Sequence, residues 1–199
     1  MLHHPDLNCQ TCTTRLLSIT LIFGPPDGMC ELRGVGLREN EGLFETSLVY
    51  EPLVLRDVSR GKPTFSSKPY SSKFHSSTAV DDDDKTFFSS TDDLPQPFWA
   101  IDLKGQYEIH TVDILPIYHA TGRFNDIGVF IGTTLPADDV YTAWTMLAHY
   151  QGPYKKEEGR ISFTCRSLIS GRYVAVQRVS ITGQKLELAD VKVYVTPKH

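Results

Sequence analysis

Several things are scarce in this chain, and each scarcity excludes a class of protein. Only four cysteines occur in 199 residues, with Cys9, Cys12 and Cys30 near the start and Cys165 far from them, so a dense disulfide framework is ruled out. No apolar run approaches the roughly 20 residues of a membrane-spanning helix. The longest, Leu16 to Phe23, is about the length of one buried strand. Positive charge is also short: 20 Lys and Arg against 24 Asp and Glu leave a net charge of -4, which argues against nucleic acid or an anionic membrane as partner. The amino terminus, beginning Met1-Leu2-His3-His4, shows no basic-then-apolar leader, and no Asn-x-Ser/Thr sequon occurs.

Catalytic signatures are missing too. The chain contains no nucleophile elbow, no His-Glu-x-x-His, no phosphate-cradling glycine loop and no dinucleotide fingerprint. The seven histidines (His3, His4, His75, His110, His119, His149, His199) are scattered, with no pair four residues apart. Glycoside hydrolysis needs one carboxyl group with a raised pKa in an apolar pocket, the opposite of a run of aspartates. The expectation is a binding module, not an enzyme.

The composition supplies a core. A content of 40% hydrophobic and 11% aromatic residues suffices for one large domain, or one ordinary domain with an appendage. Texture divides the chain into a cysteine-bearing segment, residues 1–56, and a region of short strands, residues 57–199. Trp99, Ile101 and Leu103 alternate with other residues, and Tyr107 and Ile109 continue the habit. Val112 and Ile114 then change parity, which predicts a bulge near His110. Further strand-like runs are 127–131, 141–149, 160–164, 172–179 and 185–195, with turns read at Gly132, Gly152, Ser170-Gly171 and Gly183. In the last run Leu188 and Val191 differ in parity, so a bulge is expected at Ala189 and Asp190. Short strands without a helical period between them predict an all-β sandwich.

The segment from Arg60 to Leu103 carries the chemistry. Six carboxylates (Asp81, Asp82, Asp83, Asp84, Asp92, Asp93) fall within thirteen residues, behind a serine-rich stretch and ahead of Phe98-Trp99. Such crowding repels itself unless the loop is solvated or a cation neutralises it. Ca²⁺ takes six to eight hard oxygens, from carboxylates, carbonyls and hydroxyls, and this region offers all three.

Six stretches follow one another in order: Val58-Ser-Arg-Gly-Lys-Pro63, Thr78-Ala-Val-Asp-Asp-Asp83, Pro97-Phe-Trp-Ala-Ile-Asp-Leu103, Gly122-Arg-Phe-Asn125, Phe163-Thr-Cys165 with Gly171-Arg-Tyr-Val174, and Leu188-Ala-Asp-Val191. They cover about 140 residues, from Val58 to the carboxyl end. Their order resembles the fucolectin (F-type lectin) and discoidin-like (coagulation-factor C-type) modules of the galactose-binding-like class. The resemblance implies a jelly-roll-like β-sandwich and a calcium-dependent carbohydrate-binding module of an extracellular or secreted recognition protein, with glycans or glycoproteins as partners. The implied calcium ligands are the carbonyls of Thr78 and Ala189, the side chains of Asp81, Asp83 and Asp190, and a serine at Ser89 or Ser90; Asp82 and Asp84 are left as spectators. The implied sugar contacts are Arg123, with Tyr118 or His119 framing the ring. Fucose-gripping members present a histidine and two arginines, and only Arg123 has a counterpart here. The other positions fall near Ser90 or Thr91 and near Ile117 or Tyr118, so fucose specificity is not implied.

Residues 1–56 faintly resemble the closing part of a PAN/apple module, through Cys9, Cys12, Ser18-Ile-Thr20 and Cys30-Glu-Leu32. Cys30 could pair with Cys9 or Cys12, or these thiols could join His3 or His4 around zinc. Cys165 has no cysteine counterpart within the resemblance and reads as a buried free thiol or a partner for the first segment. The rival function is an adhesion module that binds protein through an apolar tip formed by Phe74, Phe87 and Phe88.

Overall fold

The computed structural model describes residues 54–197 except Asp93 and Thr182. The readings made on Cys9, Cys12, Cys30 and the PAN/apple-like segment lie outside the described residues.

Eight antiparallel strands form the domain: β1 (Arg56–Asp57), β2 (Thr64–Ser66), β3 (Phe88–Ser89), β4 (Phe98–Pro116), β5 (Ile127–Gly132), β6 (Thr145–Tyr150), β7 (Ile161–Arg178) and β8 (Glu187–Val195). Their order is β1-β8-β4-β7-β5-β6, with β2 added on β4 and β3 on β8. The helical turns are all short 3-10 pieces. This is the all-β sandwich that the sequence predicts.

Two long strands build both layers. The first half of β4 pairs with β2 and the end of β7, whereas its second half pairs with β8 and the start of β7. The register slips between Asp102 and Tyr107 and again between Ile109 and Thr111, at the parity change expected near His110. A further slip pairs Leu115 with Asp190 and Pro116 with Leu188, leaving Ala189 as the extra residue of the expected bulge.

Alternation places Trp99, Ile101 and Leu103 in the main core with Ile127, Val129, Ile131, Val174 and Val176, and with Leu188, Val191, Val193 and Val195 of β8. The opposite parity is not exposed. Phe98, Ala100, Phe130 and Ala175 form a second buried cluster, capped by Tyr141 and Trp144. Every residue of β5 is therefore buried, which explains its unbroken apolar sequence.

One predicted turn is wrong. Ser170-Gly171 lies inside β7 rather than between two strands. A Cβ on Gly171 would come within 2.3 Å of Ile131 Cγ2, so the glycine permits close strand packing there and marks no reversal.

Candidate functional site

The acidic loop is built from the core outward. Thr78, Ala79 and Val80 are the buried part of the 3-10 helix Ser76–Val80, and the indole of Trp99 donates to the Ser76 carbonyl at 2.8 Å. The Gly61 amide donates to Val80 O at 3.0 Å, tying the preceding Gly-Lys-Pro segment to the same helix. Beyond it the chain curls on itself: the amides of Asp83 and Lys85 donate to the carboxylates of Asp81 and Asp83, each at 3.0 Å.

Three oxygens converge on one atom. The hydroxyl of Thr86 lies 2.7 Å from Asp81 Oδ2, 2.9 Å from Asp83 O and 3.4 Å from Thr78 O. These are hard oxygens of the kind calcium takes, and they come from Thr78, Asp81 and Asp83, although Asp83 contributes its backbone carbonyl here rather than the expected side chain, which accepts from the Lys85 amide. Asp190, on β8, is a buried carboxylate linked to the loop through Arg160 and Lys192, which also meet Asp84 and Asp82; its Oδ2 has no aligned hydrogen bond. Burial raises its pKa, and Arg160 works in the opposite direction. Arg160 Nη1 stands 2.7 Å from that oxygen, a close ionic contact without hydrogen-bond alignment. This donor chemistry fits a hard cation. Among the described residues no three His, Cys, Asp or Glu side chains gather as a metal cage, so carbonyl and hydroxyl oxygens would have to supply part of any ligand set.

Ser89 and Ser90 are not in this loop. Both are buried: Ser89 Oγ donates to Glu187 Oε1 at 3.2 Å, and Ser90 Oγ accepts from the Leu186 amide at 3.0 Å. Ala189 borders the neighbouring cleft. Asp82 and Asp84 are not idle. Asp82 meets Arg60 at 3.2 Å and Lys192 at 3.1 Å, while Asp84 meets Arg160 at 3.3 Å. The hydrogen bond from Lys192 is the main cause of Asp82's lowered pKa.

Beside the loop lies a cleft of about 340 Å³. Its apolar wall includes Phe87, Leu115 and Tyr154; Tyr118 and His119 also border it, with ring centroids 3.5 Å apart. Both come from the 3-10 segment Tyr118–Arg123. Arg123, at the other end of that segment, is not part of the lining; its Nη1 lies 3.2 Å from Glu187 Oε2. The structure thus brings Tyr118 and His119 together with the acidic loop and sets Arg123 against β8.

Of the positions at which the resemblance implied fucose contacts, several are buried or already paired. Ser90 and Ile117 are buried, and Arg123 is matched with a carboxylate. The expected Phe74-Phe87-Phe88 tip is corrected as well: Phe88 is fully buried because its strand pairs with β8 at Leu188. Phe74 and Phe87 do meet, at 4.6 Å, and Tyr70 lies 6.1 Å from Phe74.

Sequence reasoning missed Thr86, Arg160, Lys192 and Glu187. Thr86 follows the aspartate run at a spacing that could have marked it, whereas Arg160, just before β7, and Lys192, on β8, reach the loop from distant parts of the chain and leave no local signal. Cys165 is a free thiol among the described residues, half-buried against the core, and burial raises its pKa.

No family model matches the sequence, and no curated protein matches it. Solved structures do. A fucolectin from striped bass (Morone saxatilis) serum superposes with a TM-score of 0.62 at 18% identity, covering 72% of this chain and 48% of that one. A fucose-binding module of Streptococcus pneumoniae gives 0.59 at 21% identity, covering 72% and 100%. Chitosan-binding module 1 from a chitosanase/glucanase of Paenibacillus sp. IK-5 gives 0.58 at 17% identity, covering 70% and 98%. The motif order, the bulged long strands and these superpositions agree: the chain carries the discoidin-like galactose-binding fold shared by fucolectins and carbohydrate-binding modules.

Proposed function

We propose that this domain is a non-catalytic, lectin-like carbohydrate-binding module of an extracellular recognition protein. Its site lies at the loop end of the sandwich, between the acidic loop and Tyr118–Arg123. The observation that carries this reading is the cleft of about 340 Å³, where aromatic faces and polar groups meet beside a hard-oxygen loop. Sugar rings present a C–H face that packs on aromatics and a rim of hydroxyls that needs donors and acceptors. Tyr118 and His119 supply the first surface, and Arg123, farther along the same segment, is the candidate donor at its edge. The names of all three structural neighbours denote sugar recognition, which supports the class without naming the sugar.

Calcium belongs to this proposal. Thr78, Asp81, Asp83, Ala189 and Asp190 would hold it, with Thr86 in place of the expected Ser89 or Ser90. The bound ion would neutralise the loop and fix the wall of the cleft. A glycan array with free-sugar competition tests the class, and titration of Tyr118→Ala and Arg123→Ala against the selected glycan tests the placement. Inhibitable binding that weakens in Tyr118→Ala without a change in melting midpoint supports the site; unchanged affinity in both variants moves it elsewhere.

A protein-binding adhesion role is the second reading, favoured by the Tyr70, Phe74 and Phe87 aromatic group. It predicts an array without inhibitable spots.

A further inference from the structure

The charge of the cleft indicates which saccharides it would take, an inference that rests on the carbohydrate reading above. Two ammonium groups, Lys85 and Lys156, border it beside His119, and Asp84 is the one carboxylate among its described lining residues. Asp84 is engaged by Arg160 at 3.3 Å. Among the described residues, neither Lys85 nor Lys156 has a carboxylate within ion-pair distance. Asp81, Asp82, Asp83, Glu157 and Glu158 flank these lysines in sequence but are not among the described lining residues, so the side chains that face the cleft are two cations against one engaged carboxylate.

The positions of these cations matter as much as their number. Lys156 Nζ stands 5.1 Å from the centroid of the Tyr118 ring, so a charged donor sits next to the surface on which a sugar ring would stack. Lys85 and Phe87 come from the acidic-loop side of the same opening. A ring held on Tyr118 or Phe87 would thus have a cation close to its substituents. A neutral sugar would leave both ammonium groups without a counter-charge, and a cationic chain such as chitosan would be repelled by them.

We propose that the cleft selects anionic saccharides, whose carboxylate or sulfate groups pair with Lys85 and Lys156 while the ring stacks on Tyr118. Charge-assisted hydrogen bonds to such groups are the strong ones, and the apolar wall lowers the local dielectric around them.

Titration calorimetry of the full chain at fixed ionic strength tests this with two matched pairs of probes. One pair is a heparin-derived tetrasaccharide and its desulfated form; the other is trigalacturonate and its methyl ester. The member of at least one pair that carries the extra sulfate or free carboxylate groups binds about tenfold or more tightly than its partner without them, the difference expected when one charge-assisted contact is lost. Which pair responds distinguishes sulfate from carboxylate. In the Lys85→Gln/Lys156→Gln double variant that preference disappears at an unchanged melting midpoint, whereas Lys62→Gln, outside the cleft, retains it. Equal affinity within both pairs, together with binding of a neutral array glycan, overturns the anionic inference and leaves the carbohydrate reading standing. A preference that survives in the double variant also overturns it, because the charge then acts from elsewhere. Absence of binding to every probe and array glycan removes both.

Discussion

Arg178 donates from one guanidinium nitrogen to both the backbone and the side-chain oxygen of Asn125, at 2.6 and 2.9 Å. Its other terminal nitrogen donates to the carbonyls of Arg123 and Lys185. This arginine at the end of β7 is fully buried, and burial lowers its pKa while Asp126 acts in the opposite direction. It therefore supports two loops, the end of Tyr118–Arg123 and the turn leading into β8. Replacing it with methionine would fill the space and leave buried carbonyls without donors. Arg178→Met is expected to cost about 3 kcal/mol in urea unfolding and to weaken glycan binding; an unchanged unfolding midpoint would show that the loops hold without it.

Asp102 and Arg172 clamp β4 to β7 where the register slips. The guanidinium donates through Nε and Nη2 to the two carboxylate oxygens, each at 2.8 Å, and Asp102 is buried. The hydrogen bond from Arg172 is the largest cause of its pKa lying well below the ordinary carboxylate range. A depressed folded-state pKa contributes stability above the unfolded value, about 3.9, and that contribution is lost as pH falls toward the folded-state pKa. Asp102→Asn should cost about 1–3 kcal/mol at neutral pH, at the lower end because Arg172 is partly exposed. Thermal melts from pH 7 to pH 2 should show a shallower acid decline for the variant than for the parent; parallel curves would deny the pair this role.

Calcium should raise the melting midpoint relative to chelator, because a ligand that binds only the native state stabilises it by mass action. Asp81→Asn should abolish the rise and Thr86→Val should reduce it, since those oxygens converge. Identical midpoints in millimolar calcium and in chelator would remove the ion from this loop.

Phe87 and Phe88 are adjacent and should behave oppositely. Phe88→Ala removes a fully buried ring and should cost about 3–5 kcal/mol. Phe87→Ala should leave the midpoint nearly unchanged and weaken glycan binding, because that ring borders the cleft. Equal destabilisation by both would mean that Phe87 is a core residue.

The legible part of this fold was the part encoded locally. Parity changes near His110 and at Ala189 mark bulges because a strand has only two faces. Ser170-Gly171 misled because a glycine placed for packing reads like a glycine placed for turning. Around the site, the nearness of Thr78, Asp81 and Asp83 to one another follows from their closeness in sequence, and their role as ligands is what the family likeness implies. Arg160 and Lys192 were not, because tertiary topology alone carries them to the loop. Phe88 could not be told from Phe87 until the pairing of β3 with β8 set which ring turns inward.

Arg160 and Lys192 have one more consequence. Each touches an aspartate of the loop and also approaches Asp190 on β8, Arg160 at 2.7 Å and Lys192 at 3.9 Å. The loop thus carries covalently tethered counter-ions of its own. A soluble cation arriving there would compete with these side chains or share their aspartates, so its departure would give up the metal without giving up the loop's anchorage. Dilution of calcium would then loosen the wall of the cleft without freeing it, and a rise in ionic strength would weaken the tethers to the exposed Asp82 and Asp84 more than the contact with buried Asp190.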